Sequence, residues 1–377
     1  MKSRHFFVLS ALTIAASLTA CGGGGSGSNT TPVSVGVGTA PVTAPVTAPV
    51  TAPVTAPVTV PVTVPVTVPV TVVLPVTGAP INTAIVTTVV AANYAAGSEE
   101  QAAFNRLNAE RGQCGFGLLT QAVQLDAAAK SHNDYQIINN IDSHFENQTQ
   151  YPTGFTGINA ADRASAKGYI DFSGIADDYA YGNSSNKIGV GDRATCTLLS
   201  APYHLAALVD GYRDVGISVR SNLNTTPAGV GPGVFLHINS GYKTAAGKQL
   251  IAAGTIQTYP CNQSVGVNRQ LTNKSPNPVP GRDLSANPIG TPIYIATRGG
   301  TPLTIATASL KETISNTAMV LRTPITTSND PHIVYKMNEG YVAPDAPLKA
   351  LTQYTATVTG TANGAAFSKT FSFTTGA

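Results

Sequence analysis

Tryptophan is absent from the 377 residues, and charge is scarce: Asp, Glu, Lys and Arg together make up 11%. The scarcity is local. Between His5 and Ser98 none of the four charged types occurs, so the first quarter of the chain lacks the charged surface of an ordinary globular domain. The net charge of +3, two of whose positives are Lys2 and Arg4, gives no electrostatic footprint for nucleic acid, and no nucleic-acid partner is expected. Cysteine is also sparse, four in all, and none sits in a C-x-x-C pair, which removes zinc-ribbon and thioredoxin-like readings.

What is present begins with MKSRHFFVLSALTIAASLTAC, a positive start followed by an apolar core of about 15 residues. That core is shorter than the roughly 20 residues a membrane-spanning helix needs. Leu18-Thr19-Ala20-Cys21 resembles the lipobox of bacterial lipoproteins, with residues 1–21 as signal peptide and Cys21 as the lipidated first residue. The glycines at 22–25 supply a tether, and glycine rather than aspartate at position 22 favours outer-membrane sorting in the lipoproteins it resembles. The expected location is therefore exported and membrane-anchored, facing periplasm or cell surface. Export delivers Cys114, Cys196 and Cys261 to an oxidising compartment, where one disulfide is expected; the pairing read here is Cys114–Cys196.

Residues 39–70 are eight copies of a four-residue T-A/V-P-V unit. A proline at every fourth position excludes helix and removes sheet donors, and each residue before proline is pushed to extended backbone. The expectation for residues 22–95 is a polyproline-II-rich stalk, which at about 3.1 Å per residue reaches on the order of 100 Å over the repeat.

Globular sequence starts near Gly97, with a domain expected over 96–268. Ser98 and Gln101 have capping-box spacing, and Ala103, Phe104 and Leu107 follow at helical spacing to Gly112. A second helix is predicted over 118–139, with His132 on its apolar side as a packed core residue. A helix is expected over 160–168, another after His204, and strands over 215–219, 234–239 and 249–258, His237 being a sheet-face residue. The stretch from 168 to the His204 helix reads as loop. A linker at 269–290 leads to an all-β module at 291–377, where Tyr354, Ala356 and Val358 alternate with threonines and Phe367, Phe371 and Phe373 line a partner strand. Asn363-Gly364 is the hairpin turn pair, in a loop expected to exceed two residues.

The ordered set L-N-A-E-R-G (107–112), L-D-A-A-A-K-S-H (125–132), Ser143-His144, Gly168-Tyr169, A-D-D-Y-A-Y-G (176–182) and S-A-P-Y-H (200–204) resembles the CAP superfamily of cysteine-rich secretory, antigen 5 and pathogenesis-related proteins. The resemblance covers roughly 97–266. It implies an α+β fold: an α-β-α sandwich with a small three-stranded antiparallel sheet. The family cleft is lined by two histidines and two acidic residues, and some members hold a divalent metal such as zinc there. Carried onto this chain, the histidines are His144 and His204, and Asp177 stands where the family has glutamate; the second acidic position has no counterpart. Tyr203 is an extra residue beside His204, and the family's tryptophan is missing. The block 291–377 resembles bacterial immunoglobulin-like modules, implying a β-sandwich used as spacer or adhesion unit.

Two functions follow from different classes. One is a lipid-anchored binding protein that meets an envelope or extracellular ligand, with no required cofactor. The alternative is a hydrolase of peptide or cell-wall material acting through His144, His204 and Asp177, with or without metal. Ser143 and Ser200 neighbour the histidines in sequence, but no G-x-S-x-G elbow accompanies them. The anchor is testable directly: Cys21→Ser is expected to move the protein out of the membrane fraction or leave it unprocessed, read by fractionation and intact mass.

Overall fold

The computed structural model describes residues 81–182, 186–222, 233–272 and 274–377. Cys21, the expected signal peptide at 1–21 and the Pro-rich repeat lie outside them. The fold is α+β. Helix α1 (Glu99–Gln113) starts as its sequence requires: Ser98 Oγ accepts from Gln101 N at 3.1 Å, and two glutamates occupy the first turn. Strand β1 (Thr120–Gln121) and helix α2 (Val123–Asn139) follow, and α2 ends at Asn140 with φ 54°, a left-handed cap that asparagine tolerates. Helix α3 (Ala160–Ala166) carries a complete Asn159/Asp162 capping box. Then come β2 (Phe172–Gly182), α4 (Val190–Leu199), α5 (Pro202–Leu208), β3 (Asp214–Asn222) and β4 (Gly233–Lys243). The A-D-D-Y-A-Y-G stretch, expected as loop, is thus the second half of β2.

These strands form a sheet in the order β1-β3-β4-β2. The antiparallel trio expected from the resemblance is joined by β1, which runs parallel to β3 over two residues. Alternation along β3 divides the helices between the sheet's two faces. Val215, Ile217 and Val219 join the apolar core shared with α1 and α4. Ser218, on the other face, receives the side-chain amide of Asn133 from α2. Gly216 on that same face lets α2 approach so closely that a Cβ there would meet Leu125 and Asp126 backbone at 2.1 Å.

The remaining strands are β5 (Gln257–Tyr259), β6 (Ser264–Val267), β7 (Gln270–Leu271), β8 (Ile289–Gly290), β9 (Ile293–Ala296), β10 (Leu303–Glu312), β11 (Ile325–Thr326), β12 (Glu339–Val342), β13 (Gln353–Ala362) and β14 (Ala365–Thr375). Two four-stranded sheets, β10-β13-β14-β6 and β11-β12-β9-β5, bury Ile293, Ile295 and Val342 of one against Tyr354, Val358, Phe371 and Phe373 of the other. The β13–β14 hairpin turns on only two residues, Asn363 (φ 51°) and Gly364 (φ 78°), between paired Ala362 and Ala365. The loop is shorter than the sequence suggested because the ladder runs to its last residue, the arrangement that Asn-Gly favours.

The boundaries drawn at 268 and 290 do not separate two independent cores. Strands β5 and β6, placed with the first domain, pair with β9 and β14 of the second, and β7 and β8 pair across the expected linker. One apolar cluster runs from Leu107 and Leu205 to Tyr294, Tyr335 and Tyr341, and residues 81–377 make one compact unit. The disulfide is also different from the one expected. Cys114, at the C-terminus of α1, bonds Cys261, just past β5, with a Cα–Cα distance of 5.3 Å. Cys196 stays a thiol buried on α4, 3.7 Å from Arg106 Nη2. Sequence spacing carries no pairing information for three cysteines; packing of β5 beside α1 decides it. Replacing Cys114 and Cys261 together by serine is expected to lower the unfolding free energy by about 2–5 kcal/mol, measured by urea denaturation.

Candidate functional site

Strand β2 is the outer strand of the first sheet, and its residues point alternately to the two faces. Asp177 faces α2 and α3; Asp178 faces α5. Each carboxylate holds one imidazole. His144 Nδ1, from the loop after α2, lies 3.1 Å from Asp177 Oδ2, and His204 Nδ1, on α5, lies 2.9 Å from Asp178 Oδ1. The two rings meet around the free edge of β2 with centroids 6.5 Å apart and planes 26° from parallel. His144, Asp177 and His204 therefore come together from three segments. The partner of His204, however, is Asp178, which sequence reasoning did not single out; the adjacent D-D pair on a strand was its signal.

Asp177 is heavily bonded. Besides His144 it accepts from Arg163 Nη2 at 3.2 Å and from His237 Nδ1 at 3.2 Å, and the Asn239 amide nitrogen, oriented by its partners, lies 2.7 Å away. Burial alone would raise its pKa, but His237, His144 and Arg163 outweigh burial and hold the carboxyl well below the usual range. Arg163 is fully buried and also donates to the His144 carbonyl at 3.1 Å. His237 completes its own pair with Gln136 Oε1 at 2.7 Å.

His132 and His237 were both read as packing residues, and they are buried, but they also extend the polar network. His132 Nδ1 lies 3.0 Å from Glu146 Oε1, and its Nε2 lies 2.9 Å from the Ser143 carbonyl. Glu146 in turn accepts backbone N–H from Thr156 and Gly157. Ser143 Oγ caps Phe145 N and Ser200 Oγ donates to the Cys196 carbonyl, so among the described residues neither serine hydroxyl is hydrogen-bonded to a histidine.

Two donor sets bear on metal binding. His132, Asp177 and His237 lie close enough to share an ion, their ligand atoms being within 4.8 Å of one another. All four ring nitrogens of that pair already have partners, and Arg163 occupies Asp177, so an ion there would have to displace a buried cation. His144 and His204 are the better fit: each Nδ1 is held by a carboxylate, the orientation that leaves Nε2 for a metal. On His204 the Ser275 backbone is a hydrogen-bond partner, so metal binding there requires it to move. Lys274 adds a cation beside Asp178 and Asp142; burial lowers its pKa to about 8 while the two carboxylates pull it back up.

No family model matches the chain, and no curated protein matches it. Among solved structures it is similar to an outer surface protein from Borrelia burgdorferi, at 15% identity and TM-score 0.30, over 39% of this chain and 93% of that one. A score that low carries no argument about either fold or function. No helix among the described residues is long and apolar enough to cross a membrane.

Burial pushes His132 and His204 well below the ordinary imidazole value. Each ring's folded pKa is depressed below an unfolded value of about 6.5, so its contribution to stability is complete above that pH and is lost as pH falls toward the folded value. Their ring resonances are expected to stay in the neutral form from pH 8 to about 6, while an exposed imidazole titrates, as read by nitrogen-15 NMR.

Proposed function

We propose that this chain is a lipid-anchored, exported binding protein of the bacterial envelope, with a CAP-like cleft held away from the membrane on a Pro-rich stalk. The anchor and stalk rest on Leu18–Cys21 and the repeat at 39–70. The observation that carries the binding reading is the facing pair His144 and His204, each backed by its own carboxylate. Among the described residues no hydroxyl or thiol is hydrogen-bonded to either ring, so the cleft offers the His144 ring directly, and the His204 ring once the Ser275 backbone moves, without a nucleophile beside them. Such a pair suits a polar ligand or a divalent ion. Zinc, when bound, would supply an open Lewis-acid position, and His144 and His204 would be its protein ligands.

One observation favours the hydrolase alternative. Asp177 fixes His144 with the proton on Nδ1, which presents Nε2 as a base, and the His144 side chain is 17% exposed. The experiment is zinc titration by calorimetry on the parent, His144→Ala and His204→Ala, with peptide and cell-wall hydrolysis assayed with and without chelator. Zinc binding in the parent that both substitutions abolish supports the paired-histidine cleft. Zinc binding that survives both substitutions overturns it, and turnover lost in His144→Ala replaces the binding reading with the hydrolase.

A further inference from the structure

Helix α5 is a poor candidate to hold a histidine in place by itself. It is seven residues long, and its N-cap, Ala201, offers no side-chain hydrogen bond. A helix this short does not sustain itself in water, so its position must come from outside contacts. Pro202 pre-sets the first backbone angle but anchors nothing.

The outside contacts come from the C-terminal β-module, at the two residues immediately before His204. Tyr203 donates its hydroxyl to Asp330 Oδ1 at 2.7 Å, and the Pro202 carbonyl accepts from the Tyr335 hydroxyl at 2.9 Å. Asp330 is itself fixed. Its Oδ2 accepts backbone N–H from Val334 at 2.6 Å and Tyr335 at 2.9 Å, and its Oδ1 accepts from His332 N at 3.1 Å. The 330–335 loop is thus wound around the carboxylate that holds Tyr203. The His332 ring stands edge-on to Tyr203 with centroids 5.2 Å apart, and its Nε2 is 2.7 Å from the Asn277 carbonyl, which ties in the segment leading from Ser275. The far end of α5 is clamped as well, since Lys336 Nζ reaches Asp210, two residues past the helix, at 3.0 Å.

We infer that the β-module positions His204: Asp330, acting through Tyr203, sets the start of α5 and so the placement of the His204 ring against Asp178. Asp330 touches neither the ring nor anything bound in the cleft, so it is a positioning residue. The inference stands on the hydrogen bonds above and does not depend on which ligand the cleft takes. It gives Tyr203, an extra residue beside the family's histidine segment, a task in this chain. It also makes the β-module part of the site, beyond the spacer or adhesion role that its sequence suggested.

The test uses the full chain with nitrogen-15-labelled histidine. Variants are Tyr203→Phe, which removes one hydroxyl and keeps the ring, Asp330→Ala, and Asp330→Asn, which keeps an oxygen facing Tyr203. The readouts are the His204 ring nitrogen shifts, which report its tautomer and its bond to Asp178, and the urea midpoint. The His132 ring, held by Glu146 on the other face of the sheet, is the internal control. Tyr203→Phe and Asp330→Ala are expected to move the His204 shifts and leave His132 in place, with Asp330→Asn closer to the parent. If His204 shifts stay unchanged while the urea midpoint falls, or if His204 and His132 move together, the interface is merely structural and the inference fails. Absence of zinc binding in the parent would affect the proposed cleft function and leave this result intact.

Discussion

One buried carboxylate organises the first module. Asp177 gathers His144 from the loop after α2, Arg163 from α3, and His237 and Asn239 from β4. An ionised carboxylate taken out of water is tolerated only when its lone pairs are filled and a counter-charge is near. Here Arg163 supplies the charge, and it is fully buried, with Glu146 as its second carboxylate neighbour. The consequence reaches past stability. His144 is fixed through the same oxygen that receives Arg163, so the orientation of this partly buried ring is inherited from the buried ion pair.

The second constraint is the place of β2 at the sheet's edge. Residues 177 and 178 must point to opposite faces, and on an inner strand the sheet would keep their partners apart. At an outer strand the two faces converge around a free edge, and two imidazoles supported from opposite sides can come within 6.5 Å. The electrostatics of the two halves differ accordingly. Asp177 is held charged by His237, His144 and Arg163, whereas burial pushes Asp178 well above the carboxylate range and His204 well below the imidazole range. At Asp178 burial and the neighbouring Asp177 charge oppose ionisation, while His144 and Lys274 favour it.

How much of this was legible in the sequence depended on the range of each interaction. Local signals read well: Ser98 caps α1, Asn363-Gly364 turns the last hairpin, and the Val215 and Val234 runs are strands. Ordered motifs brought out His144, His204 and Asp177, which the fold brings together. What failed was long-range or two-sided. The Cys114–Cys261 bond joins residues 147 apart in sequence, and nothing in the spacing of three cysteines prefers it to Cys114–Cys196. His132 and His237 carry the alternation of core positions, so their periodicity looks like packing; that each bonds a carboxylate is set by a second segment in each case. Asp178 was passed over because the stretch read as loop and the family resemblance marked Asp177 alone; that the two carboxylates serve opposite faces follows only once 172–182 is a strand.

The domain boundary is the most instructive case. Residues 269–290 are rich in proline, asparagine and glycine, which in solvent would make a free joint. Composition fixes what a segment can do without neighbours; it does not report the neighbours. Here the segment lies against an aromatic wall in which Tyr203, Tyr341 and Tyr294 each pack on Tyr335 at 5.5 to 6.2 Å, and the wall is continuous with the core of the first module. Tyrosine suits this position because each ring adds apolar contact while its hydroxyl reaches a fixed acceptor: Asp330, the Pro202 carbonyl, the Pro278 carbonyl or Glu339. An interface of this kind is directional as well as adhesive, since the Tyr203–Asp330 and Tyr335–Pro202 bonds cross between α5 and the β-module and specify one orientation. The short helix that carries His204 lies where that orientation is fixed, so the geometry of the cleft and the docking of the β-module are settled by the same contacts.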